Sequence, residues 1–125
     1  MKLIYWMTIL LLLIFNSCNA QDKDKVITID ELTAAMEKDS STIILDVRTA
    51  PELSGPLGHI DGVIHIPLQE LDKRVDELDE FKNKQINVIC RTGRRSGIAA
   101  SILNEKGFKA KNVLGGMKEY REKGN

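Results

Sequence analysis

Cysteine is nearly absent from this chain: 125 residues hold two, Cys18 and Cys90. No Cys-x-x-Cys pair exists, which excludes a dithiol oxidoreductase. Histidine is as scarce, with only His59 and His65, and no Cys/His/Asp/Glu cluster stands at metal-ligand spacing, so neither metal nor cofactor is expected. An excess of one charge is missing too. The 18 Lys and Arg offset 18 Asp and Glu for a formal charge of 0, which leaves no basic excess for a nucleic-acid partner. There is no internal repeat, no low-complexity stretch and no linker between domains. The apolar run from Leu3 to Phe15 is shorter than the roughly 20 residues of a membrane-spanning helix.

That run does have the shape of a leader. Lys2 gives a short positive start, Leu3 to Phe15 is almost wholly apolar, and Ser17-Cys18-Asn19-Ala20 follows with short residues. Residues 1–20 are therefore expected to be a secretory signal peptide, and the protein exported to the periplasm or cell envelope. Cys18-Asn19-Ala20 fits a small-x-small cleavage site with Gln21 as the mature start. The other reading makes Cys18 the lipidated N-terminus of a membrane-anchored lipoprotein, because the polar stretch Asn19 to Lys25 suits a tether over residues 21–25. The membrane would then be met only through the N-terminus. About 105 residues remain, enough for one compact domain over residues 26–124. With Cys18 in the leader and Cys90 kept free, no disulfide is expected.

The rest of the chain alternates two kinds of pattern. Thr28 and Glu31 form a capping box ahead of a helix carrying Leu32, Ala35 and Met36 and ending near Lys38. Thr42-Ile43-Ile44-Leu45 reads as a strand covered on both faces, with Asp46 at its carboxyl end. Ala50-Pro51-Glu52 opens a short helix, with proline at an early position. Val63 to Ile66 reads as a strand, Leu68, Leu71, Val75, Leu78 and Phe81 recur at helical spacing, and Ile86 to Ile89 reads as another strand. A helix from Ile98 to Lys106 closed by Gly107, a strand from Ala110 to Leu114 and a helix from Met117 to Lys123 complete the series. Such alternation predicts an α/β fold with a parallel sheet, whose ligands bind beyond the carboxyl ends of the strands.

Cys90 lies at such an end. It follows Ile86-Asn87-Val88-Ile89 and opens the loop Cys90-Arg91-Thr92-Gly93-Arg94-Arg95-Ser96 before the helical pattern. Free N–H groups at a helix start, the helix dipole and three arginines within five residues should all lower the thiol pKa. A buried structural cysteine needs neither those charges nor the adjacent glycine. Cys90 is the expected nucleophile, and residues 91–96 the expected surroundings of a small anionic substrate. Arg95 is the first choice for direct contact, while Arg94 could equally be a solvated charge.

Cys90, Gly93, Arg95 and Ser96 resemble the active loop of the rhodanese sulfurtransferases, Cys-x-x-Gly-x-Arg-Ser. Asp46-Val47-Arg48 with Glu52, Gly58-His59-Ile60 with Gly62 and Ile66-Pro67, Gly107-Phe108, and Leu114-Gly115-Gly116-Met117 resemble other elements of that family, in order, from Val26 to Tyr120. Where the family often has Trp in its last helix, this chain has Tyr120. The resemblance implies a single domain with a five-stranded parallel sheet flanked by helices. It implies covalent sulfur transfer through a Cys90 persulfide, from a donor such as thiosulfate to a thiol, cyanide or a protein acceptor. A persulfide relay serving a partner protein is the alternative. Cysteine phosphatases use Cys-x5-Arg, whereas Arg95 gives the shorter Cys-x4-Arg, which suits a sulfur atom better than a phosphate. Asp46, Arg48, Glu52 and His59 are expected to hold the loops, with Arg48 reaching Glu52. His65 is expected to be packed within its strand.

Overall fold

The computed structural model describes residues 23–125. The expected leader, Cys18 and the first residues of the tether lie outside the described residues. Lys23–Lys25, which were expected to belong to that tether, form a single 3-10 turn leading into the sheet. The elements that follow are β1 (Val26–Ile27), α1 (Ile29–Lys38), β2 (Ile43–Asp46), α2 (Ala50–Leu53), β3 (Ile64–His65), α3 (Leu71–Arg74), β4 (Gln85–Ile89), α4 (Arg94–Glu105), β5 (Lys109–Val113) and α5 (Gly116–Glu122). The five strands form one wholly parallel sheet in the order β1-β5-β4-β2-β3. This is the architecture expected, although β1, two residues long, gave no strand pattern of its own.

Side chains on a strand alternate between faces, and that period of two divides the core. Ile43, Leu45 and Val47 join Ile86, Val88 and Cys90 against α4 and the segment around Leu71 and Leu78. Ile44 and Ile89 point the other way, with Val113, against Ile29, Leu32, Met117 and Tyr120 of α1 and α5. All four residues of β2 are buried, as a strand covered on both faces requires. Tyr120 fills the second core, so aromatic packing is preserved there. Thr28 caps α1 by accepting from the Glu31 N–H at 3.1 Å.

Two expectations need correction. The segment from Leu68 to Phe81 is not one helix: 3-10 turns at Leu68–Glu70 and Val75–Phe81 flank the single α-turn α3. The spacing explains this. Val75, Leu78 and Phe81 fall three apart, the 3-10 period, and only Leu71 to Val75 offers a step of four. The helix after Cys90 begins at Arg94 rather than Ile98, so Arg94, Arg95 and Ser96 lie in its first turn.

Candidate active site

Cys90 follows the last residue of β4, in the middle of the sheet, beside the end of β2, where the Val47 N–H donates to the Ile89 carbonyl at 3.1 Å. The chain then curls back on itself. Gly93 takes φ of +109°, a backbone that side-chain-bearing residues avoid, and this reverses the loop into α4. From the far side, the first N–H groups of α5 hold the loop: Met117 N–H donates to the Cys90 carbonyl at 2.9 Å and Lys118 N–H to the Arg91 carbonyl at 3.0 Å. Helix-start donors have no intrahelical partner, so they are free for this purpose. Gly116 is what permits the approach, because a Cβ there would overlap the carbonyls of Arg91 and Cys90.

Inside the curl the thiol is 1% exposed. The Gly93 N–H donates to Sγ at 3.1 Å, and the Ser96 hydroxyl lies 3.2 Å from it. Burial pushes the thiol pKa up. The Ser96 hydroxyl and the backbone N–H groups of Ser96, Gly93 and Thr92 outweigh it, so the pKa falls below the ordinary thiol value. The loop thus does what was expected of it, but chiefly through hydrogen bonds rather than through its arginines. Arg91 and Arg94 are exposed and, among the described residues, form no ion pair.

Arg95 is engaged elsewhere. Its Nη1 and Nη2 meet Glu52 Oε1 and Oε2 at 2.7 and 2.8 Å, a bidentate pair across 43 residues of chain. The guanidinium pKa is raised first by this bond to Glu52, and less by the Cys90 and Asp46 charges. The fork expected to grip a donor anion is therefore filled by a carboxylate. The same contact, with Thr49, pulls the Glu52 carboxyl from 4.5 down to about 2. Glu52 also closes the capping box of α2 with Thr49.

Arg48, expected to reach Glu52, does so only at its backbone. Arg48 turns to Asp46, with Nε donating to Oδ1 at 3.0 Å and Nη2 to Oδ2 at 2.8 Å, both residues buried. From Glu52 it takes only the backbone carbonyl, at 3.4 Å, and its Nη2 also reaches the Gly58 carbonyl at 2.7 Å. A guanidinium with no solvent needs a counter-charge that is buried with it, and Asp46 is the one at hand. These contacts tie the β2 end to the Gly58 turn. His59 Nδ1 lies 3.2 Å from the Leu53 carbonyl, and His65 Nε2 lies 2.7 Å from the Arg48 carbonyl, so both histidines serve backbone.

One residue of the site was not anticipated. Asn112 of β5 accepts from the Ser96 hydroxyl at 2.6 Å and donates from Nδ2 to the Gly93 carbonyl at 3.0 Å. Its only trace in the sequence is a polar residue near the end of an otherwise strand-like run. A cleft of about 290 Å³ adjoins the loop, lined by Arg48, Glu52, Gly55, Pro56, Leu57 and Arg91.

The described residues thus form a five-stranded parallel α/β domain with a buried, hydrogen-bonded thiol at the carboxyl end of its central strand. Residues 28–123 match the rhodanese-like domain family, and the chain belongs to it. It is 42% identical over 98 residues to YrkF of Bacillus subtilis, named as a sulfur carrier; the match covers 78% of this chain and 51% of YrkF, about half its length. It is 39% identical over 75 residues to the thiosulfate sulfurtransferase PspE of Escherichia coli, covering 60% of this chain and 70% of PspE. Among solved structures, a rhodanese-related protein from Thermoplasma volcanium superposes with a TM-score of 0.71 at 31% identity, covering 80% and 93% of the two chains.

Proposed function

We propose that this protein is a sulfurtransferase that moves sulfane sulfur from thiosulfate or a similar anion to a thiol or cyanide through a persulfide on Cys90. The observation that carries this reading is the pair of contacts on Cys90 Sγ, from the Gly93 N–H at 3.1 Å and the Ser96 hydroxyl at 3.2 Å, within a curl of further N–H groups. The Cys90 thiolate attacks the outer sulfur of the donor. A new S–S bond forms, the donor S–S bond breaks, and sulfite leaves with the electron pair. The negative charge now rests on the outer sulfur, where loop N–H groups can solvate it. An acceptor thiolate or cyanide attacks that sulfur and releases Cys90 as thiolate, which completes a two-stage covalent cycle. No base is needed if Cys90 is already ionised, and no cofactor enters either step. Arg91, which lines the 290 Å³ cleft and forms no ion pair among the described residues, supplies positive charge for the incoming anion. The test is intact mass after thiosulfate. Cys90 should gain one sulfur, about 32 Da, and Cys90→Ser should gain none. Loading that survives Cys90→Ser would remove this residue from the nucleophile role.

A second reading, a persulfide relay feeding a partner protein, draws support from the deep burial of Cys90 and from the sulfur-carrier relative. A relay should load stoichiometrically from thiosulfate yet turn over slowly with cyanide or small thiols. Fast turnover with either would decide for the enzyme.

We also propose that the protein is exported and anchored through lipid on Cys18, on the strength of the short apolar run and the polar stretch behind it. Cells fed a labelled fatty acid should mark the wild type and not Cys18→Ser; equal labelling of both would end that proposal.

A further inference from the structure

We infer that Asn112 is a positioning residue that governs the ionisation of Cys90 through the Ser96 hydroxyl, which rests on the reading of Cys90 as the nucleophile. The argument is one of counting hydrogens. A serine hydroxyl has one hydrogen to give. The Asn112 Nδ2 donates to the Gly93 carbonyl at 3.0 Å, and this fixes which end of the amide faces Ser96. That end is Oδ1, which can only accept, and it takes the Ser96 hydrogen at 2.6 Å. Ser96 therefore presents lone pairs to Cys90 Sγ at 3.2 Å, an arrangement that suits a thiol donating its S–H.

A thiolate reverses the requirement. To stabilise Cys90 as an anion, the Ser96 hydrogen has to leave Asn112 and turn to sulfur. The depression of the Cys90 pKa by Ser96 is thus obtained at the cost of the Asn112 bond, and Asn112 opposes ionisation. Once the persulfide forms, Sγ is neutral and the charge sits on the outer sulfur, so the hydroxyl can return to Asn112. The residue favours the thiol and the loaded state over the free thiolate. Gly97 leaves the room for this, since a Cβ there would lie 3.1 Å from Asn112 Nδ2.

The other charged groups near Cys90 stand outside this chain of bonds. Arg95 of α4 is locked to Glu52 of α2, and Asp46 at the end of β2 is locked to Arg48. Arg91 and Arg94 face solvent, and Lys118 at the start of α5 meets the loop through its backbone. A neutral change at position 112 alters none of these charges.

The experiment is the pH profile of Cys90 alkylation by iodoacetamide, whose midpoint reports ionisation and whose high-pH plateau reports access. Asn112→Ala should move the midpoint down and raise the rate at neutral pH about fivefold, the scale of one hydrogen bond. Asn112→Asp should move it up, because a carboxylate holds the Ser96 hydrogen more tightly and repels the thiolate. In a Ser96→Ala background, Asn112→Ala should leave the midpoint where Ser96→Ala alone puts it. An Asn112→Ala midpoint that is unchanged or higher overturns the inference, as does a downward shift that survives without Ser96. If Asn112→Ala does not fold, a midpoint left unmoved by Asn112→Asp overturns it equally. Alkylation needs no sulfur donor, so failure of Cys90 to take up sulfur would sink the transfer reading while leaving this result intact.

Discussion

At the carboxyl end of β2, Asp46 and Arg48 close on each other with every side-chain polar atom engaged. At the carboxyl end of the adjacent β4, Cys90 is as deeply buried but meets donors that stabilise its anion without neutralising it. Burial alone does not separate a structural group from a reactive one. What differs is the partner. A full counter-charge two residues away fixes Asp46 as scaffold, whereas N–H groups and a hydroxyl leave a Cys90 anion without a counter-charge, as the proposed nucleophile role requires. Functional sites store such incompletely neutralised groups, and scaffolds do not.

The sharpest way to break this comparison is to cut each end in turn. Arg48→Ala leaves Asp46 buried without a counter-charge and strips the Gly58 carbonyl of its donor. The expected cost is about 3–5 kcal/mol, and thermal melting should fall by tens of degrees for a domain of this size. Cys90→Ser keeps size and hydrogen-bonding capacity, so its melting temperature should stay within a few degrees of wild type. Comparable losses in the two variants would mean that Cys90 is as structural as Arg48.

A smaller effect is expected at the contact between α2 and α4. Glu52 and Arg95 are each about 30% exposed, so solvent screens their pair and its contribution is about 1 kcal/mol. Its pH dependence has a definite sign. The Glu52 pKa is lowered in the folded protein, from 4.5 to about 2. The stability it confers is therefore present above about pH 4.5 and is lost as pH falls towards 2. The melting temperature of Glu52→Gln should lie several degrees below wild type at neutral pH, and the gap should close between those two values. A gap that persists unchanged at pH 2 would show that packing, not the ion pair, accounts for it.

The sequence made the strand ends legible but not their wiring. Cys90 stood out because chemistry, loop residues and the strand before it all converge on one short segment. The run Ile43–Leu45 was legible because burial on both faces leaves no polar interruption, and Ile86–Ile89 is broken only by Asn87, whose Nδ2 donates to the Ile43 carbonyl at 3.0 Å. The start of α4 was hidden because its first turn, Arg94-Arg95-Ser96-Gly97, carries no apolar stripe; Gly93 sets it through its backbone, with the Gly97 N–H donating to the Gly93 carbonyl at 3.2 Å. Pairing Arg95 with Glu52 rather than with a substrate is a contact across 43 residues, and no local spacing encodes it. Asn112 was hidden for the same reason, since its meaning depends on β5 lying beside β4, with Asn112 in register with Val88.

The smallest expected effect concerns Arg94, the neighbour of Arg95 in the same helical turn. Arg95 is held by two hydrogen bonds, and Arg94 is exposed with no ion-pair partner among the described residues. A lysine cannot reproduce the planar fork that fits the Glu52 carboxylate. Arg95→Lys should therefore lower kcat/KM for thiosulfate by loosening the loop, and Glu52→Gln should lower it to a similar degree, with little further loss in the double variant. Arg94→Lys keeps the only thing Arg94 offers, a positive charge near the site, and should be silent. Arg94→Ala removes that charge and should cost about twofold at low ionic strength, where the field reaches tens of ångströms, and nothing measurable above 0.1 M, where screening acts within about 10 Å. The measurement is kcat/KM in each variant at two ionic strengths. Should Arg94→Ala lose the same fraction at both, Arg94 touches the donor directly, and the contrast between a wired arginine and a solvated one disappears.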